Sequence, residues 1–215
     1  LGNGQLNIGG SLSNSGKLNL SPTAKVQTTD NLGLSGALQV ATSGAQASLL
    51  TSAGNASLGG KLVVDLPAAD AVAGKSWNII QADSFSGAFQ SISPLDTNAL
   101  AYGLELRTSI AGNTAKLEVD NLPVLTINRA TGAASIKNVI GDAIDFKGYQ
   151  ITSPSGLLKP DAFSGFAASN PQWVEANPNA KSLAELNLAG SSQLAVGNSL
   201  PLGSIYAAGN IAPKN

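Results

Sequence analysis

The side chains that carry most enzyme chemistry are scarce in this sequence. Its 215 residues include no His and no Cys. This excludes a Cys nucleophile, a Ser-His-Asp triad and the common zinc ligands. Three sets of residues remain that could do chemistry or bind a ligand: two glutamates, two aspartates and a group of aromatic side chains.

The glutamates are Glu105 and Glu118, in the segment LELRTSIAGNTAKLEV (104–119). A pair of carboxylates is the catalytic apparatus of glycoside hydrolases. Glutamates are equally ordinary on the polar faces of strands, and polysaccharide lyases built as β-helices carry richer clusters of Lys, Arg and Asp. We therefore expect no enzyme and no cofactor, with a polysaccharide-active β-helix enzyme as the less favoured alternative.

The aspartates are Asp142 and Asp145, which follow Gly141. Carboxylates close together could help to hold Ca²⁺, which takes several oxygen ligands. No dense loop of Asp, Asn and Gly accompanies them, so a solvated turn is the favoured interpretation and Ca²⁺ the alternative.

The aromatic group is Tyr149, Phe163, Phe166 and Trp173. Exposed rings of this kind form platforms for sugars, and the chain would then be a carbohydrate-binding module on a secreted protein. A small β-sandwich also needs aromatic side chains in its core. Core packing is the favoured interpretation, and polysaccharide is kept as a possible partner.

Composition limits the other partners. Lys and Arg number 12 and Asp and Glu 13, so the net charge is −1 and no basic field attracts nucleic acid. No apolar run is long enough to span a membrane. The absence of Cys and Met removes the residues that oxidise most readily, as suits an exposed, long-lived protein. We expect an extracellular or cell-surface location.

The N-terminal part of the sequence contains an internal repeat. The chain opens with a repeat at an offset of 12, in which Gly-Gln-Leu-Asn-Ile (4–8) returns as Gly-Lys-Leu-Asn-Leu (16–20), and we expect each copy to bury its apolar residues against the next. Glycines at 4, 16, 36 and 60 each open the same Gly-x-Leu-x-apolar pattern. The segments NLGLSGALQV (31–40) and NASLGGKLVV (55–64) align at an offset of 24. Repeats of this length indicate stacked units. We expect the aligned apolar side chains to share one core: Leu34, Leu38, Val40, Leu58, Leu62 and Val64.

Alternation of apolar and polar residues within each repeat predicts strands with one buried face. Asn-Ser-Gly turns keep these strands short. Residues 1–121 are therefore predicted to form a β-solenoid, a short parallel β-helix, closed by the hairpin at 104–119. An antiparallel sandwich with incidental internal similarity is the alternative.

A new pattern begins near Pro123, so residues 122–215 are predicted to be a second domain. LTINRATGAASIKNV (125–139) predicts strand, turn, strand, and AIDFKGYQITS (143–153) predicts another strand. Ser182 and Glu185 have the spacing of a capping box, which predicts a helical turn. Strands with one long connection indicate a small Ig-like β-sandwich.

The first part, through GKSWNIIQADSFSGAFQSI (74–92) and LELRTSIAGNTAKLEVDN (104–121), resembles autotransporter-like β-helical repeats of secreted bacterial proteins of planctomycete type. The second part, through IKNVIGDAIDFKGYQITS (136–153) and LAELNLAGSSQLAVGNSLPLG (183–203), resembles lamin-tail-like domains, which are Ig-like sandwiches. The resemblance implies secretion and a role at a surface or in a matrix. It carries over no catalytic residue.

Gln5 to Ile8 are predicted to be a strand already, so the solenoid would expose an uncapped edge. Open edges template pairing with another chain. We therefore expect a non-enzymatic structural or adhesive protein that self-assembles through its N-terminal edge into a filament or surface array. The alternative is that the chain is the C-terminal part of a larger secreted repeat protein.

Overall fold

The structure, a computed structural model, describes residues 1–207 as an all-β protein, as the sequence predicts. The helices within residues 1–207 are two 3₁₀ turns, Pro160–Ala162 and Phe166–Ala168. No helix in this part of the chain is both long and apolar enough to cross a membrane. Contacts between residues divide the chain into two units, Leu1–Asp120 and Asn121–Asn215.

The first unit contains three sheets, here named A, B and C. Sheet A has the strand order β1 (Gln5–Ile8), β4 (Lys25–Thr28), β8 (Leu49–Ser52), β11 (Ser76–Gln81), β15 (Thr114–Asn121) and β14 (Leu104–Ala111). Sheet B has β2 (Leu12–Asn14), β5 (Leu32–Leu34), β9 (Asn55–Leu58) and β12 (Ser84–Gly87). Sheet C has β3 (Lys17–Asn19), β6 (Ala37–Ser43), β10 (Lys61–Asp65) and β13 (Ser91–Pro94), and β7 (Gln46–Ala47) pairs with β6.

The chain visits the three sheets in turn, so that β1 to β3 form one triplet of strands and β4 to β6 the next. Corresponding strands of successive triplets pair in parallel. Leu18 pairs with Leu38 after 20 residues, and Leu38 pairs with Leu62 after 24. The offset of 24 read from the sequence is thus the register between the second and third triplets.

The opening repeat has a different explanation from the aligned 24-residue segments. The segment Gly4 to Ile8 contains β1 in sheet A, whereas Gly16 to Leu20 contains β3 in sheet C. These two similar segments therefore belong to the same triplet and do not stack on each other. The two segments are similar because short strands that bury alternate side chains share the same alternation of apolar and polar residues.

The aligned apolar side chains of the repeat are buried, as predicted. All six aligned residues are buried, with exposed fractions between 0% and 5%. Alternation along each strand causes this burial. In β10 of sheet C, the successive residues are exposed, buried, partly buried, buried and exposed. The parallel series of sheet A ends where β11 pairs in antiparallel with β15, placing Trp77 opposite Leu117.

The second unit consists of three smaller sheets. Sheet D has the order β16 (Val124–Ile127), β17 (Ala134–Lys137) and β23 (Ser199–Gly203); sheet E pairs β18 (Ile144–Phe146) with β22 (Ser192–Leu194); and sheet F has β19 (Gly148–Thr152), β21 (Ser182–Asn187) and β20 (Trp173–Glu175). Every strand pair in these sheets is antiparallel. The strand-turn-strand prediction for 125–139 is confirmed by β16 and β17.

The helical turn predicted at Ser182 is wrong, because Ser182–Asn187 is the central strand of sheet F. Alternate residues Leu183, Glu185 and Asn187 are buried, which is the period of a strand. Glu185 is therefore not a capping residue of its own segment. Its carboxylate lies inside the second unit, where it has long-range partners.

Candidate functional site

The triplets of the first unit differ most at one corner, where the chain passes from sheet C to sheet A. From one triplet to the next the connection lengthens, from 7 residue steps (Asn19 to Val26) to 11 (Gln39 to Leu50) and then 17 (Val63 to Ile80). Insertions that collect on one face of a repeated scaffold are a frequent origin of binding sites. This corner is therefore the candidate functional site.

The second triplet's insertion is a small hairpin made by β6 and β7. Ser43 pairs with Gln46, which leaves Gly44 and Ala45 as a two-residue turn. Gly44 has a φ of +63°, a left-handed conformation that a side chain would disfavour. The indole Nε1 of Trp77 donates a hydrogen bond to the carbonyl oxygen of Gly44 at 2.9 Å, which fixes the hairpin tip.

The third triplet's insertion carries Asp70, whose carboxylate is buried and fastens both loops. Its Oδ2 accepts hydrogen bonds from Thr42 Oγ1 at 2.9 Å and from the Gly44 amide at 3.0 Å. Its Oδ1 accepts from Lys75 Nζ at 2.7 Å. Burial by itself raises the pKa of Asp70, but the bonds from Lys75, Thr42 and Gly44 outweigh it and hold the pKa below its usual value.

We expect Asp70→Asn to lower the free energy of unfolding of the first unit by about 2 kcal/mol at pH 7, because it removes the ion pair and sets an NH₂ donor against either Lys75 or the Gly44 amide, which can only donate. Because the pKa of Asp70 is lower in the folded protein than in the unfolded chain, its ionisation stabilises the fold at pH values above the unfolded-state pKa. This contribution is lost as the pH falls through the folded-state pKa. Denaturant unfolding should therefore show the full difference above about pH 4 and a shrinking one below it.

The control for this variant is Asp65→Asn, at the exposed end of β10. It should change the free energy of unfolding by less than about 0.5 kcal/mol both at pH 7 and at pH 2. A penalty for Asp70→Asn that stays constant from pH 7 to pH 2 would show that the ionised carboxylate is not what holds the loops.

Beside the hairpin lies a groove of about 330 Å³ on the outer side of sheet A. We call it the corner groove. Its lining comes from the first two connections and from the strands that follow all three: Pro22, Thr23, Lys25, Ala45, Gln46, Ala47, Leu49, Trp77 and Asn78. Lys25, Gln46 and Asn78 are exposed, whereas Leu49 and Ala47 are half-buried. The volume lies in the range of small-molecule sites.

Residue types alone did not reveal this site, because no single motif marks it. The available signal was the alignment of the repeats. Once Leu38 is aligned with Leu18 and Leu62, the extra residues of successive triplets fall at the same corner.

The aromatic residues selected from the sequence come together in the second unit, with Phe146. Phe166 stacks on Trp173 with ring centroids 4.5 Å apart and an angle of 19° between the rings. Trp173 is 2% exposed and its Nε1 donates to Ser192 Oγ at 2.8 Å. Phe163 is buried and Tyr149 partly buried. Trp173 and Phe163 thus present no open ring face to a sugar.

Glu185 fixes this aromatic cluster. Its Oε2 accepts from the Tyr149 hydroxyl at 2.6 Å and from the Phe166 amide at 2.8 Å, and its Oε1 accepts from the Ala167 amide at 2.9 Å. Burial, followed by the bond to Glu185 and its charge, raises the pKa of Tyr149 well above its usual value. Tyr149 therefore stays protonated as a donor to Glu185.

The space around Glu185 is closed. A β-carbon on Gly165 would overlap both the Glu185 carboxylate and the Tyr149 hydroxyl. The carboxylate therefore has a structural role here, in which it binds the amides of the 3₁₀ turn at Phe166 across the fold.

The other carboxylates selected from the sequence are dispersed. Asp142 contributes its backbone oxygen, which accepts from the side-chain amides of Asn138 at 2.7 Å and Asn121 at 2.8 Å. Asp145 lies in β18 opposite Gln193, and both aspartates are exposed. Across residues 1–207, no three acidic side chains are grouped to hold a metal ion.

The two glutamates of the hairpin are in strands β14 and β15. Glu118 pairs with Arg107 at 3.2 Å, and the same Arg107 lies 2.9 Å from Asp120. The hairpin thus uses Glu118 in a surface ion-pair network.

No protein-family model, curated protein or solved structure matches this chain.

Proposed function

We propose that the chain is a non-enzymatic extracellular structural or adhesive protein, with a β-solenoid over residues 1–121 and an Ig-like sandwich over 122–215. The observation that carries the proposal is the register of the first unit. Leu18, Leu38 and Leu62 pair in parallel across three successive triplets, and sheets A and B repeat the arrangement. Such stacking is the construction principle of solenoids.

The engagement of the carboxylates supports a structural role. Asp70 joins two loops, Glu118 pairs with Arg107, and Glu185 binds a hydroxyl and two amides. Each of these groups has a partner that holds the fold. An extracellular location is supported by the composition and by the resemblance of the first part to repeats of secreted bacterial proteins.

The proposed self-assembly is supported by the position of the strands of the first triplet. Within residues 1–207, β1, β2 and β3 each form one of the two edges of sheets A, B and C. Leu6 points toward the core side, in register with Val26, yet it is 42% exposed. A second copy that adds head to tail on this edge would cover Leu6 and pair the open backbone groups. A preceding triplet of a larger secreted repeat protein would cover the same edge.

The test is sedimentation velocity of the purified chain over micromolar to millimolar concentrations. We expect a concentration-dependent series of species larger than the monomer. Leu6→Lys should return it to monomer, because the added charge would be buried at the contact. Gln5→Lys is the matched control, since it adds the same charge to the same strand at a position that is also exposed.

A head-to-tail contact gives a series of sizes, whereas a contact between two identical edges stops at the dimer. A wild-type chain that is monomeric at every concentration would refute self-assembly. Equal loss of assembly in both variants would show that general charge, and not burial of Leu6, controls it.

A further inference from the structure

We propose that the corner groove binds a saccharide that carries a carboxylate, such as a uronic or sialic acid residue of a glycan. This inference does not rest on self-assembly, because the groove lies over β4, β8 and β11 and not on the edge strand β1. It moves the expected polysaccharide contact from the aromatic cluster of the second unit to the first unit.

The charge of the groove comes from Lys25. It is the cation among the lining residues, and its side chain is exposed. The neighbouring Lys75 is already bound to Asp70 at 2.7 Å, so its charge is neutralised. Lys25 supplies the one ammonium of the lining, since Lys116, the strand partner of Asn78, does not line the groove. A single ammonium suits a ligand with a single carboxylate better than a polyanion such as nucleic acid.

Two side-chain amides indicate the rest of the ligand. Gln46 extends from the hairpin wall and Asn78 from β11, and both are exposed in the groove. Each amide can donate and accept at the same time. This combination matches neighbouring hydroxyl groups, which also do both. The polar groups of the groove are therefore complementary to a ligand that carries several hydroxyl groups around one acidic group.

The floor of the groove is apolar and small. Leu49, in β8, is in register with Lys25, and Ala47 and Pro22 lie on either side. Such a surface packs against the C–H face of a sugar ring, while Lys25, Gln46 and Asn78 remain for its substituents.

The hairpin wall is held in place before any ligand arrives. The amide of Gly44 donates to Asp70, and its carbonyl accepts from Trp77. Because the amide and the carbonyl of Gly44 are both hydrogen-bonded, Gln46 lies in a strand that is already ordered. The entropy lost on binding is therefore smaller than for a flexible loop.

The experiment titrates the full chain with trigalacturonate and, separately, with sialyllactose, using calorimetry and amide shifts in nuclear magnetic resonance spectra. We expect at least one of them to bind and to shift signals of residues 22–25, 45–49 and 77–78. Lys25→Gln should weaken that binding about tenfold, the value of a charge-assisted hydrogen bond. Gln46→Ala and Asn78→Ala should each weaken it about threefold.

Lys17→Gln is the control, since it removes an equally exposed lysine from sheet C. It should leave binding unchanged. Added salt should weaken binding by wild-type chain more than by Lys25→Gln. Which acid sugar binds identifies the source, a chain-internal uronic acid or a terminal sialic acid, and binding of either supports the proposal.

Results of three kinds would overturn it. The first is no binding of either acidic sugar at millimolar concentration. The second is equal binding of neutral maltotriose, or an unchanged affinity in Lys25→Gln. The third is equal binding of a tri-aspartate peptide, which would show that the groove recognises carboxylates on any backbone. Because Lys25 is exposed, the variant is expected to melt like wild type, so loss of binding is separable from loss of fold.

Discussion

Leu38→Asp is expected to unfold the first unit. Leu38 is 0% exposed and lies between Leu18 and Leu62 in the middle of sheet C. The substitution removes a buried leucine, worth about 2–5 kcal/mol, and adds the larger penalty of an unpaired carboxylate in an apolar core. Together these approach the whole stability of a typical domain, about 5–15 kcal/mol. Thermal melting by circular dichroism should show the loss of the first unit's transition.

Gln39→Asp provides the matched comparison. Gln39 is the next residue of the same strand and is partly buried on the opposite face. The acid there can reach water, so we expect a penalty of about 1 kcal/mol or less. A Leu38→Asp variant that keeps the wild-type melting temperature would show that Leu38 does not lie in the core.

The parts of the fold that depend on neighbouring repeats were predictable from the sequence. The pairing of Leu34 with Leu58 and of Val40 with Val64 follows from one internal alignment. It does so because a parallel register between similar segments places like residue on like residue. The opening similarity at an offset of 12 misled because all short half-buried strands alternate alike, whichever sheet they join.

Features that depend on side chains far apart in sequence were not predictable. Asp70 meets Thr42 across 28 residues, and Glu185 meets Tyr149 across 36. No periodicity links such partners, because a loop brings Asp70 to Thr42, and the antiparallel register of β19 and β21 sets Tyr149 opposite Glu185. The capping-box spacing of Ser182 and Glu185 was a local signal that the sheet overrode.

The second large effect concerns two adjacent glycines, Gly59 and Gly60. A β-carbon on Gly60 would overlap the backbone oxygen of Gly36 in the triplet below, and that oxygen accepts the Lys61 amide at 3.1 Å. A β-carbon on Gly59 meets only the Leu34 oxygen, at 3.8 Å, an ordinary contact. The preceding triplet therefore leaves room for a β-carbon at Gly59 but not at Gly60.

Gly60→Ala is expected to destabilise the first unit by about 3 kcal/mol or more, since backbone cannot give way as a flexible side chain can and the bond from Lys61 must lengthen. Gly59→Ala should stay within about 1 kcal/mol of wild type. Denaturant midpoints of the two variants, measured side by side, check the difference. Both changes replace a glycine with an alanine at neighbouring positions. Differences in composition and in backbone propensity therefore cancel when the two variants are compared. Equal midpoints would mean that the strands do not approach as closely at Gly36 and Gly60 as the parallel register requires.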